Sequence, residues 1–404
     1  MKRVKTIDTQ GLIELPALID PHVHFRTPGG CHKEDWKSGA FAAVSSGVTT
    51  VCDMPNNNPP CMTLDALIEK KKIIDAQLHS VGIPLRYGLF LGADKNHLDQ
   101  IEKAKELAVG IKIYLGSSTG DLLVESALDL DEIFRRAASV DMVVVVHAED
   151  EEILKRERES YGPTSDPAAH SKIRTPEAAI VATRDAIERA AKYQTSLYIA
   201  HLSTKEELEL VRQAKKSGLS VYAEVTPHHL FLTVDDYAEW KSLVQANPPL
   251  RSHEDQEALW KGIADGTVDT IGSDHAPHLL EEKRKPYPQS PSGIPGIETL
   301  LPLMLDAVNQ ERLSLERLTE LTRTNAQEIF SLPPNDDRVW VDMEMKKEVR
   351  ASELKTKCGW SPFAGRVLTG WPVYTKVKGE LFATQQRSEE TPPAHPDSVS
   401  AEHG

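Results

Sequence analysis

The chain has 404 residues, enough for one large barrel-type domain or two to three ordinary ones. Lys and Arg total 47 against 61 Asp and Glu, a formal net charge of −14 that argues against nucleic acid or an anionic membrane as the main partner. Hydrophobic residues at 40% and charged residues at 27% are the composition of an ordinary soluble globular protein. The four cysteines, Cys31, Cys52, Cys61 and Cys358, form no CxxC pair, and a chain of this size needs no disulfide staple. No apolar run reaches the eighteen or so residues of a span, and MKRVKTIDTQ leads into a strand-like run. A cytoplasmic setting is the expectation.

In chain order, eight apolar runs of strand length are expected as strands: Leu12–Ile19, Val48–Met54, Leu85–Gly92, Gly110–Leu115, Met142–Val146, Ser196–Ala200, Ser220–Val225 and Val268–Gly272. Helical patterns lie between them at Leu64–Leu78, Leu128–Ala138, Pro176–Tyr193, Lys205–Ser217 and Glu254–Ala264. Strands alternating with helices imply parallel strands with crossover helices, and eight such units close a (β/α)8 TIM-type barrel of α/β class, here over 12–334. Long connections at Glu149–Thr175 and Phe231–Ser252 follow the fifth and seventh strands, at the catalytic end of such a barrel. After Phe330 short strand-like runs take over, so a small β subdomain is expected from 1–11 and 335–384. The polar, Pro-rich 385–404 reads as a disordered tail.

Of fifteen histidines, eight fall at or just past strand ends: His22, His24, His147, His201, His228, His229, His275 and His278. Histidine has no reason to gather at one end of a barrel without chemistry, and imidazole is a common zinc ligand. In DPHVHF the rings of His22 and His24 are two apart, so on a strand both reach one ion. His147 in VVVHAED and His201 in YIAHLS end later strands, and Asp274 in GSDHAPH offers a carboxylate. Lys112 lies inside the apolar run GIKIYLG, where an ammonium beside two metal dications would be repelled. Carboxylation by carbon dioxide would turn its charge to −1 and supply two oxygens to bridge two ions. Carbamate, Asp274 and a bridging hydroxide would then offset three of the four charges of two zinc ions, leaving a net charge suited to an anionic substrate.

The motifs DPHVHFRTPGG, KED, DMPNN, GIKIYLG, VVHAED, IAHLS, EVTPHHL, NPPLR, SDHAPH and GIPGIETLLPL together resemble the cyclic amidohydrolases, and among them the dihydroorotases. The likeness runs from about Leu12 to Phe330 and into the C-terminal region. It is specific, and the short lead before HxH is similar to the dihydroorotase domain of the animal multifunctional pyrimidine enzyme. The resemblance implies two Zn2+ ions at the barrel mouth. His22, His24 and Asp274 would hold one and His147 and His201 the other, with N6-carboxylated Lys112 and hydroxide between them. Some relatives carry a cysteine, tied to a third zinc, where this chain has Ala200; Glu224, His228 and His229 then read as supporting groups rather than ligands.

By the same resemblance the substrate pair is N-carbamoyl-L-aspartate and L-dihydroorotate. Asp274 would act as the catalytic acid–base, and Arg26 would meet the carboxylate with its planar fork. Asn56, Asn247, His278 and Gly293 complete the expected substrate contacts; Asn247 corresponds to an Arg in the animal domain. The loop GSSTGDL suits a mobile lid, with Ser118 or Thr119 as a substrate contact. A homodimer is expected, with association with aspartate transcarbamoylase as a further expectation. Allantoinase and dihydropyrimidinase share the metal set but act on rings without the carboxylate, so Arg26 with MPNN and NPPLR favours dihydroorotase. An inactive scaffold homologue would be expected to lose metal ligands, and none of that set is missing.

Overall fold

The computed structural model describes residues 1–117, 122–124 and 126–385. Eight parallel strands form the central sheet in sequential order: β3 (Leu18–Val23), β4 (Val48–Asp53), β5 (Arg86–Gly92), β6 (Ala108–Tyr114), β7 (Val144–His147), β8 (Leu197–Ile199), β9 (Val221–Val225) and β10 (Thr270–Ile271). Nearly every residue of these strands is buried, as expected where helices cover the outside and side chains fill the inside. Between β10 and β3 the closure is slight. Val23 bridges His275, and the His24 amide donates to the His275 carbonyl at 2.9 Å. Asp20 adds a second tie by accepting from the Ser273 amide at 3.0 Å. The expected helices form at Leu64–Val81, Ala127–Ser139, Pro176–Tyr193, Lys205–Lys216 and His253–Asp265.

A second, antiparallel sheet draws on both ends of the chain: β1 (Lys2–Val4), β13 (Glu380–Ala383), β12 (Val367–Val377), β11 (Arg338–Glu348) and β2 (Ile13–Pro16), paired in that order. Here the structure corrects the expected Leu12–Ile19 strand and the boundary at residue 11. That apolar run is two strands: β2 pairs with β11, Leu15 opposite Val339, whereas β3 starts at Leu18 in the barrel. Proline offers no amide to a ladder, so Pro16 lets the chain leave one sheet for the other. The shift carries the first barrel strand on to Val23, and His22 therefore lies within it.

The long connections are built rather than slack. Helices Glu151–Tyr161 and Ala169–Ile173 occupy the first, and short helical turns at Val234–Asp236, Tyr237–Trp240 and Lys241–Val244 the second. Residues 118–121 and 386–404, which carry the expected lid contacts Ser118 and Thr119 and nearly all of the expected tail, lie outside the described residues. Among the described residues no helix is long and apolar enough to cross a membrane.

Candidate metal centre

At the C-terminal ends of the strands, His22, His24, Arg26, Asn56, Lys112, Tyr114, His147, His201, Asn247, Asp274, Ser292 and Gly293 surround one small cavity of about 30 Å³. A far larger hollow of about 790 Å³ opens at the other end of the barrel, around the strand starts Arg86 and Ala108 and around Met142, just ahead of β7. It gathers no comparable set of metal-ligating side chains, so volume does not locate the chemistry here.

The strand alternation explains the convergence. His22 on β3, Lys112 on β6 and His147 on β7 are placed by the barrel ladder, in which Lys112 pairs with Val145 and Tyr114 with His147. Ligating atoms of His22, His24 and Asp274 lie within 4.8 Å of one another, a group able to hold a metal ion. His24 Nε2 is 3.2 Å and His22 Nε2 3.4 Å from Asp274 Oδ1. His147 Nδ1 faces His201 Nε2 at 3.0 Å.

The other nitrogen of most rings is held by a partner that fixes its orientation. His22 Nδ1 donates to Glu224 Oε1 at 2.8 Å, His24 Nδ1 to Asn56 Oδ1 at 2.6 Å, and His147 Nε2 to Glu149 Oε2 at 2.9 Å. A ring N–H donated to an oxygen fixes the tautomer and leaves the opposite nitrogen to bind a metal. Glu224 also accepts from the His201 amide at 2.9 Å and the Tyr198 hydroxyl at 2.8 Å. Its space exists because residue 272 is glycine; a Cβ there would collide with the Glu224 carboxylate. Glu149 is instead gripped by Arg174, whose Nε lies 3.1 Å from both carboxylate oxygens.

Burial drives three of the imidazoles, His24, His147 and His201, towards the neutral, metal-binding form. It lowers His147 despite the opposing pull of Glu149, brings His24 down to about 4, and puts His201 well below its usual value. Burial alone would raise the Asp274 carboxyl, but His22 and His24 outweigh it and hold the group below the usual carboxylate range. Lys112 is 1% exposed and its Nζ has no hydrogen-bond partner among the described residues. Desolvation pushes it down to about 8, so the uncharged amine is accessible near neutral pH. An orphaned amine among imidazoles, with a carboxylate on the same cavity wall, fits a metal centre and fits poorly with a purely structural role.

Strain marks the same place. Arg26, His201 and Asp274 sit at φ of 57°, 39° and 44°, left-handed backbone that costs a non-glycine residue on the order of 1–3 kcal/mol. Three such residues at one cavity are a functional signature rather than a folding convenience.

The expected substrate contacts are not all alike. Arg26, Asn56, Asn247 and Gly293 line the cavity. His278 does not; its ring lies between Arg26 Nη2 at 3.2 Å and Lys33 Nζ at 3.0 Å, where it steadies the guanidinium. Arg26 Nε donates to the Pro277 carbonyl at 3.2 Å, and Arg26 forms no ion pair among the described residues. Asn247 is held by His170, whose Nε2 lies 2.8 Å from its Oδ1. His170, Tyr114, Ser292 and Arg174 are site or supporting residues that sequence reasoning missed. For Tyr114 a signal existed, since it stands two residues after Lys112 on the same strand face.

The family model for the amidohydrolase family matches residues 13–335, most of the chain. The chain belongs to the amidohydrolase family. Members of this family are generally metal-dependent, in keeping with the donor group at the barrel mouth. Among curated relatives, a protein of Halobacterium salinarum called dihydroorotase is 39% identical over 373 residues, covering 90% of this chain and 85% of that one. The multifunctional protein CAD of Squalus acanthias is 35% identical over 382 residues, covering 94% of this chain but 15% of that much longer one. Among solved amidohydrolase structures, the L-hydantoinase (dihydropyrimidinase) of Arthrobacter aurescens superposes with a TM-score of 0.89 at 31% identity, covering 93% of this chain and 86% of that one.

Proposed function

We propose that the protein is a dihydroorotase, interconverting N-carbamoyl-L-aspartate and L-dihydroorotate in pyrimidine biosynthesis with two zinc ions. The observation that carries this reading is Arg26. Its guanidinium is buried, free of any ion pair among the described residues, and on the wall of the same cavity as the metal donors. A buried cation without a counter-ion is costly unless an anion arrives, and an orotate-type carboxylate supplies one. The relatives called dihydroorotase support the same choice.

In this reading His22, His24 and Asp274 would hold one ion, and His147, His201 and N6-carboxylated Lys112 would complete the zinc site. The bound zinc would supply Lewis acidity, lowering the pKa of water and polarising the ring amide carbonyl. Arg26 orients the substrate through its carboxylate, with Asn56, Asn247 and the Gly293 backbone completing the grip. Asp274, ionised at working pH, accepts the proton of the attacking water and passes it to the leaving ring nitrogen; in synthesis it works in reverse. Carbamoyl aspartate has two carboxylates and dihydroorotate one, so ring closure consumes a proton and acid favours synthesis.

Metal analysis of the purified protein beside a dihydroorotate hydrolysis assay tests the reading, with two zinc ions per chain and turnover expected. Asp274→Asn should abolish both directions. An Asn variant that keeps its metals and substantial turnover would remove Asp274 from proton transfer, and a wild type inactive on dihydroorotate would remove the function. Arg26→Met sharpens the substrate assignment. It should weaken dihydroorotate about 10-fold to 100-fold, the worth of a charged hydrogen-bonded pair, while a neutral dihydropyrimidine is little affected. Equal losses on both would make Arg26 structural.

A further inference from the structure

Lys283 looks like a solvent lysine in EEKRKP, yet it is 0% exposed. Its Nζ donates to three main-chain carbonyls: Gln245 at 3.1 Å, Pro291 at 2.8 Å and Gly293 at 3.0 Å. An ammonium has three N–H donors, and here all three are used on backbone. No carboxylate pairs with it among the described residues; the Trp360 ring lies 5.7 Å away instead. Gln245 completes the arrangement. Its carbonyl also accepts from the Gly293 amide at 2.9 Å. Its side chain donates to the Ser290 carbonyl at 3.0 Å and Ser292 Oγ at 3.1 Å, and accepts from Ser290 Oγ at 2.9 Å.

These bonds join three separate loops at the barrel mouth. One carries Gln245 and, two residues on, Asn247. One runs from Asp274 through His278 to Lys283 itself. One carries Ser290 to Gly293. Trp360, from the connection between β11 and β12, secures the second loop through its Nε1, which donates to the His278 carbonyl at 2.7 Å. The third loop presses close, since a Cβ on Gly293, at φ 142°, would stand 2.5 Å from the Ala276 carbonyl oxygen. Neither Lys283 nor Gln245 lines the cavity, but Asn247, Ser292 and Gly293 do.

We propose that Lys283 and Gln245 form a positioning knot that sets Asn247 and Gly293 at the substrate end of the cavity, apart from the metal end. Covalent continuity alone does not fix these groups: Asn247 and Gly293 are 46 residues apart in sequence, and beside the Gly293–Gln245 main-chain bond and the His170 link from Asn247 to Ser292, the described bonds between their loops run through these two side chains. Burial pushes the Lys283 amine down to about 7, so the three carbonyl bonds rather than a fixed charge carry the positioning. The inference rests on the dihydroorotase reading for its substrate, though not for its structural content.

Lys283→Met and Gln245→Ala are compared with wild type by steady-state hydrolysis, zinc content and amide hydrogen exchange. Expected for both is a KM for dihydroorotate raised about tenfold for Lys283→Met and less for Gln245→Ala, with kcat within about threefold and zinc unchanged. Exchange should quicken in residues 245–250 and 290–296 and stay unchanged around His22 and His147. An unchanged KM, or kcat and zinc falling together, would overturn the knot. Should Lys283→Met fail to fold, Gln245→Ala decides alone, because it leaves the three carbonyls bonded to Lys283. A wild type inactive on dihydroorotate would sink the substrate assignment, and hydrogen exchange would still decide the positioning claim.

Discussion

Lys70 and Lys112 are each 1% exposed, and their surroundings could hardly differ more. Lys70, on the helix Leu64–Val81, meets Asp53 at 2.5 Å, Asn57 Oδ1 at 2.8 Å and the Met54 carbonyl at 3.1 Å. Asp53 in turn accepts from the Phe25 amide at 2.8 Å, and Asn57 donates to the Thr27 carbonyl at 3.0 Å. That lysine ties the DMPNN loop to the segment bearing His24 and Arg26. Lys112 has none of this: its Nζ has no hydrogen-bond partner among the described residues, although imidazoles, a phenol and a carboxylate share its cavity. Burial alone therefore says little about a lysine. Satisfied donors mark a structural lysine, and orphaned donors mark one whose chemistry is incomplete.

Replacing both by methionine, similar in length and uncharged, should break the comparison in opposite directions. Lys112→Met should lower dihydroorotate hydrolysis on the order of a thousandfold or more, the several kcal/mol that metal polarisation supplies. Its stability without metal should be unchanged or higher, because no bond is lost and a buried amine is removed. Activity within tenfold of wild type would show that Lys112 is no part of the metal bridge. Lys70→Met strands Asp53 in the core, and breaking one side of a buried pair costs about 3–5 kcal/mol. Denaturant melts would read this directly. A loss under about 1 kcal/mol would mean that the Asp53 network is held by Phe25 and the loop alone.

The same contrast explains what could be read from the chain. His22, His24, His147, His201 and Asp274 were legible because strand ends and period-2 alternation are local properties of sequence. Lys112 was legible because a charge interrupts an apolar run. Lys70 was not, since it stands in EKKK, where its neighbours Lys71 and Lys72 are exposed. Lys283 was hidden for the same reason, its partners being 8 to 38 residues distant. The break between β2 and β3 was missed because the run LIELPALI stays apolar while passing from one sheet into another. In each miss the deciding contact is long-range, and composition around the residue points the wrong way.

The smallest expected effect concerns His170, a buried imidazole whose Nε2, like the Lys70 amine, is engaged. Its Nε2 lies 2.8 Å from Asn247 Oδ1 and 3.0 Å from the Ala246 carbonyl, so this nitrogen carries the proton of a neutral ring. Burial first, and then Arg174, push its pKa down to about 3. In the unfolded chain the value returns to about 6.5. Between those limits the unfolded state holds a proton that the native state does not. Stability is therefore complete above about pH 6.5 and is lost as pH falls below it, at up to about 1.4 kcal/mol per pH unit. His24, His147 and His201 act in the same sense, so the wild-type slope alone cannot isolate His170. His170→Gln keeps an N–H donor and removes the titration. Denaturant melts of chelator-treated protein at pH 7.5, 6, 5 and 4.5 should show wild type slightly ahead at the top of that range. The gap should close towards acid, with the variant's slope shallower by about 1 kcal/mol per pH unit. Parallel profiles for the two proteins would show that the native ring at position 170 takes up its proton as readily as the unfolded one.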